Sequence, residues 1–75
     1  NLDVPIVSFA ESIISKTIAD SNIPPERMTR QEKMEIVWEL TNQRIPRMKG
    51  AISEIAKQLE LSESTVYRYI SLKED

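Results

Sequence analysis

Apolar residues recur at helical spacing from about residue 4 to residue 20. Asp3 is placed to cap this helix, and Pro5 falls in its first turn, where a missing N–H costs nothing. The apolar positions cover roughly half the circumference, whereas a surface helix usually shows an arc of about 100°. We therefore expect part of this stripe to contact a second copy of the chain; the alternative is a helix enclosed by its own domain. The stripe comprises Ile6, Val7, Phe9, Ala10, Ile13, Ile14 and Ile18.

Two local signals place a second helix. The pair Pro24 and Pro25 ends the first helix, because proline lacks an N–H donor and biases the preceding residue toward extended conformations. Thr29 and Glu32 have the spacing of a capping box, in which each side chain bonds the other residue's backbone amide. We predict a helix over residues 30–43. Its predicted core stripe is Met34, Val37, Trp38 and Thr41, flanked by Ile36 and Leu40, and its acidic face is Glu32, Glu35 and Glu39.

Two shorter helices are predicted in the last third of the chain. The apolar residues Ile52, Ile55, Ala56 and Leu59 fall at i, i+3, i+4 and i+7, which indicates an amphipathic helix. Ser62 is suited to cap a last helix with Val66, Tyr69 and Ile70 on its inner side. The predicted fold class is therefore all-α, a small helical domain of about four helices.

The turn between these last two helices has the length typical of a helix-turn-helix. Ala56 is small, as a steep helix crossing requires, and Leu61 is placed to hold the turn against the core. With Val66 and Ile70 held inward, the last helix would present a polar face that suits the major groove of DNA. The alternative is an ordinary αα corner whose outer face is polar because it meets water. This face comprises Ser64, Arg68 and Ser71, with Thr65 and Tyr67 at its edges.

Composition excludes most enzymatic and metal-binding chemistry. The chain has no histidine and no cysteine, which removes imidazole bases, thiolate nucleophiles, zinc fingers and disulfides. A chain this short buries only about 60% of its extended surface, which leaves little core for a substrate pocket. We predict that the protein is not an enzyme and uses no cofactor and no metal. No apolar run approaches the ~18 residues of a membrane span, so we expect a cytoplasmic protein without a membrane partner.

Charge is nearly balanced over the chain but clustered locally. Ten basic and twelve acidic residues give a net charge of −2, which is not the basic balance typical of nucleic-acid binding. Arg44, Arg47 and Lys49 nevertheless place three cations within a short run just before the helix-turn-helix. Two acids oppose DNA binding: Glu63 begins the last helix, and Glu60 stands where glycine is usual in such turns. We expect Glu60 to adopt a left-handed conformation or to adjust the loop, at a cost of about 1 kcal/mol.

The chain contains KGAISEIAKQL at residues 49–59 and LSESTVYRYI at residues 61–70, preceded by MTRQEK and IVWEL within residues 28–40. In this combination it resembles the C-terminal domain of YheO-like transcriptional regulators over about residues 28–72. The resemblance implies a DNA-binding output domain of a bacterial transcriptional regulator, with an upstream PAS-like domain that senses a ligand. The start at Asn1 also suggests a piece of a longer protein. The sequence departs from the family pattern at Arg44-Ile45-Pro46 and at Glu60. It also departs at Glu63, a position where the family frequently has arginine.

We therefore predict sequence-specific binding to double-stranded DNA by a homodimer. Residues 26–75 would form the helix-turn-helix domain, and residues 1–25 an amphipathic helix and proline linker that supports dimerisation. The alternatives are a protein-interaction module that uses residues 6–18, and a recombinase-type DNA-binding domain. The predicted base contacts are Ser64, Thr65 and Arg68; the backbone contacts are Arg44, Arg47, Lys49, Ser62 and Tyr67; the dimer contacts are Ile6, Phe9 and Ile13.

Overall fold

The computed structural model describes residues 6–73, and side chains from residue 9 onward. Within that range the chain forms four α-helices and no strand, which confirms the predicted all-α fold. Short 3-10 turns at Pro25–Arg27 and Ile45–Arg47 lie in the connections. The proposed cap Asp3 and first-turn Pro5 lie outside the described residues. The helices are α1 (Ile6–Asp20), α2 (Arg30–Asn42), α3 (Ala51–Leu59) and α4 (Glu63–Lys73).

Helix α1 packs mainly against α3 and contributes to the single hydrophobic core described by the structure. Ala10 and Ile14 are fully buried there. The Ser15 hydroxyl donates a hydrogen bond to the Gln58 side-chain oxygen on α3, at 2.9 Å. The chain itself therefore buries more of the α1 stripe than the sequence indicated. Phe9 nevertheless remains exposed over 56% of its surface.

Helix α2 begins with the predicted capping box. The Thr29 hydroxyl accepts the Glu32 backbone N–H at 3.1 Å, and the Glu32 carboxylate accepts the Thr29 N–H at 2.8 Å. The predicted core stripe of this helix was centred on the wrong positions. Its buried residues are Ile36 and Leu40, which were predicted as the flank, together with Val37. Met34, Trp38 and Thr41 are half-buried. The difference arises because α2 packs against α1, α4 and the turn Ile45–Arg47, and these contacts together decide which of its side chains are buried.

The turn between α3 and α4 starts with Glu60 in the left-handed region, at φ 59° and ψ 44°. This conformation lets the Leu61 N–H reach back to the Ala56 carbonyl at 2.8 Å, which ends α3 and turns the chain toward the core. Leu61 packs on that core as a half-buried side chain. Two outcomes were expected for Glu60, a left-handed conformation or an adjusted loop. The structure shows the left-handed conformation, which is strained for a residue other than glycine.

We expect Glu60→Gly to raise the free energy of unfolding by about 1 kcal/mol, because glycine adopts a left-handed conformation without steric cost. Urea unfolding followed by circular dichroism would measure the change. Lys57→Gly is the matched control, since Lys57 is exposed within α3 and glycine should destabilise a helix interior by about 1 kcal/mol. Equal destabilisation by both variants would show that the Glu60 backbone is not strained.

Candidate nucleic-acid interface

Helix α4 is held in place through its inner side. Val66 is fully buried and Tyr69 is 4% exposed, while Ile70 packs half-buried against the same core. Helix α4 rests on both α2 and α3. The inner positions predicted for this helix are thus confirmed, and they determine which residues face outward.

A side-chain hydrogen bond from α2 also holds α4. The Trp38 indole N–H donates to the backbone carbonyl of Tyr69 at 2.9 Å. The indole ring donates one hydrogen bond through its N–H and accepts none, so a half-buried tryptophan needs a nearby acceptor for that N–H. The sequence placed Trp38 near the core but did not reveal this bond, because its acceptor is a backbone atom 31 residues away.

The outer face of α4 is polar and solvent-accessible. Ser64, Arg68 and Ser71 are exposed, Tyr67 is exposed over 57% of its surface, and Thr65 is half-buried. Ser64 and Arg68 are one helical turn apart and lie on the same side of the helix. The structure thus brings the predicted base-contacting residues together on α4, with Thr65 nearer the core than the other two.

Three hydroxyl groups cluster at the start of α4. The Ser62 hydroxyl oxygen accepts the Thr65 backbone N–H at 3.2 Å, which caps the helix. The same oxygen lies 2.8 Å from the Thr65 hydroxyl and 3.2 Å from the Ser64 hydroxyl. Ser62 therefore has a structural role in addition to the predicted backbone contact, and it remains exposed.

The basic residues Arg44, Arg47 and Lys49 are exposed around the 3-10 turn Ile45–Arg47. This turn packs against α2 and α3, and Ile45 anchors it as a buried side chain. Arg44 adopts a left-handed conformation at φ 63°, and Lys49 directly precedes Gly50, the residue that caps α3. The cations therefore adjoin the first helix of the helix-turn-helix, the helix that crosses the DNA backbone in such motifs.

The described residues contain no pocket, and no group of three or more acidic side chains that could hold a metal ion. None of the helices in this part of the chain is both long and apolar enough to cross a membrane. The main surface feature near the helix-turn-helix is the polar outer face of α4.

Residues 9–71 match the family model described as an HTH domain, that is, a helix-turn-helix domain. The match begins within α1, ends within α4 and covers most of the chain, so the protein belongs to this family. Helix-turn-helix domains bind DNA through the second helix of the motif, which here is α4. Comparisons with curated proteins and with solved structures found no match.

Proposed function

We propose that the protein binds double-stranded DNA sequence-specifically, as the cytoplasmic output domain of a bacterial transcriptional regulator. The observation that supports this most directly is the polar outer face of α4, held outward by Val66 and Tyr69 on its inner side. The resemblance to YheO-like regulators supports the regulatory context and an upstream PAS-like, ligand-sensing domain. The helix-turn-helix family supports DNA as the partner.

Arg68 is the principal proposed base contact. Its guanidinium can donate two parallel hydrogen bonds to the O6 and N7 atoms of guanine in the major groove. Ser64 lies one turn nearer the start of the same helix, and its hydroxyl can donate or accept. Thr65 completes the proposed set at the edge of this face, where its methyl group can contact thymine.

The proposed contacts with the DNA backbone come from two segments, one just before α3 and the other at the start of α4 and within it. Arg44, Arg47 and Lys49 supply cations for phosphates, while Ser62 and Tyr67 supply hydroxyl groups beside or on α4. Because the chain has a net charge of −2, these local cations must act against an unfavourable overall charge. Such contacts set the orientation of the domain on DNA and are independent of base sequence.

We also propose that two copies bind together through α1. Of the predicted contacts, Phe9 is exposed over 56% of its surface, Ile13 is half-buried against its own core, and the Ile6 side chain lies outside the described residues. A two-fold contact would place two copies of α4 at half-sites about 34 Å apart, or a multiple of that distance. Tethering also raises affinity through effective concentration, which offsets the unfavourable net charge.

Selection from a random duplex library tests the proposed function directly. We expect enrichment of one short motif, with binding that weakens as salt rises, because phosphate contacts release counterions. Equal recovery of all sequences would remove sequence specificity from the proposal. Absence of binding to any duplex at low salt would contradict DNA binding itself.

Replacement of Arg68 by alanine should weaken binding to the selected site by about 1–3 kcal/mol and relax the preference at one base pair. Electrophoretic mobility shift and repeated selection would measure both effects, and circular dichroism would check folding. Lys73→Ala is the control, since Lys73 is exposed near the end of α4, on another side of the helix. An Arg68→Ala protein that folds and binds the selected site with unchanged affinity would contradict the assignment.

The double variant Arg47→Gln/Lys49→Gln should bind all sequences more weakly and lower the salt slope of binding by roughly 0.9 for each phosphate that the protein no longer neutralises. Fluorescence anisotropy at several salt concentrations would give the slope. The charge-matched control is Arg27→Gln/Arg30→Gln, which removes two exposed cations outside both the proposed DNA contacts and the proposed dimer contact. If the first double variant keeps the wild-type slope, these residues are solvated and make no phosphate contact.

Replacement of Phe9 by glutamate should convert the dimer to a monomer with unchanged helical content, because the carboxylate cannot be buried at the contact. Analytical ultracentrifugation would measure the mass, with Ser12→Glu as a control at an exposed polar position of α1. A wild-type protein that sediments as a monomer at high micromolar concentration would exclude the proposed contact.

A further inference from the structure

Helix α4 exposes two groups of opposite chemical character, one at its start and one on its outer face. Glu63 is exposed at the first position of the helix, one turn before Tyr67, and Arg68 is exposed on the outer face, one turn after Ser64. The Glu63 carboxylate can only accept hydrogen bonds, and the Arg68 guanidinium can only donate them. Arg68 belongs to the face proposed to enter the major groove, and Glu63 lies at the N-terminal end of the helix, whose residues contact base edges in such motifs.

The cap of α4 does not require the Glu63 carboxylate. Ser62 accepts the Thr65 N–H with its hydroxyl and the Val66 N–H with its carbonyl, at 3.2 and 3.1 Å. In α2, by contrast, the carboxylate of Glu32 completes the capping box by accepting the Thr29 N–H. Glu63 is the first residue of α4, two positions too early for that role, so its exposed carboxylate is available to a ligand.

We infer that Glu63 contacts a base, accepting a hydrogen bond from the exocyclic N4 amino group of cytosine in the major groove. This inference rests on the proposed DNA binding by α4. Residues near the start of the second helix contact base edges in helix-turn-helix complexes, and a carboxylate is the acceptor that suits cytosine N4. Adenine also offers an amino group, but its neighbouring N7 acceptor would repel the carboxylate.

Glu63 and Arg68 must then contact different base pairs. They lie five positions apart, which corresponds to about 7.5 Å along the helix axis and about 140° around it. Arg68 favours guanine and Glu63 favours cytosine. The half-site should therefore contain two separate G·C pairs, one contacted by Arg68 and the other by Glu63.

The test compares sites selected from random duplexes by wild-type protein, Glu63→Gln and Glu60→Gln. The two variants remove the same charge, but Glu60 lies in the turn before α4 and outside its outer face. Glu63→Gln should lower the preference for cytosine at one position about tenfold and favour adenine there, because glutamine pairs with adenine N6 and N7. Glu60→Gln should keep the wild-type preference at every position.

A uniform gain of affinity by both variants, with the wild-type base preferences retained, would overturn the inference and leave Glu63 as a charge that repels phosphate. That result would not affect the proposed function, since wild-type protein and both variants would still select a motif. Failure of the wild-type protein to select any motif would instead overturn both. Circular dichroism confirms that each variant is folded before selection.

Discussion

The structure depends on the burial of one side of α4 against the hydrophobic core of a chain of only 75 residues. Val66 and Tyr69 fix the rotation of this helix, and the indole of Trp38 fixes its end near Tyr69 through a hydrogen bond to a backbone carbonyl. A helix anchored in this way presents one outer face only. That constraint gives α4 one defined outer surface, and secondary structure positions the groups on such a surface more precisely than loops do.

Electrostatics limits how such a surface can bind DNA. The chain carries a net charge of −2, so we expect attraction to phosphate to come from local cations such as those around Ile45–Arg47. These cations lie beside the first helix of the motif, while α4 exposes a cation at Arg68 and a carboxylate at Glu63. We therefore expect base contacts and a paired, two-fold arrangement to contribute more to affinity than the overall field of the protein does.

The sequence predicted the features that depend on local chemistry. The capping box at Thr29 and the amphipathic pattern of α3 are short-range signals, and both are confirmed. The features it failed to predict depend on tertiary contacts. The rotation of α2 follows from its contacts with α1 and α4, and the Trp38 hydrogen bond joins residues distant in sequence. Within the α1 stripe, Ala10 and Ile14 are fully buried in the core, whereas Phe9 stays exposed over 56% of its surface, so the dimer contact of this stripe stays a prediction. The roles of the base, backbone and dimer residues remain predictions.

The central claim is that the outer face of α4 contacts DNA bases. Backbone amide chemical shifts recorded by NMR while the selected duplex is added to labelled protein test it most directly. We expect the largest changes at Ser64, Tyr67 and Arg68, smaller changes around Arg47 and Lys49, and little change at Glu35 and Glu39 on the acidic face of α2. Changes confined to α1, with α4 unaffected, would contradict the account.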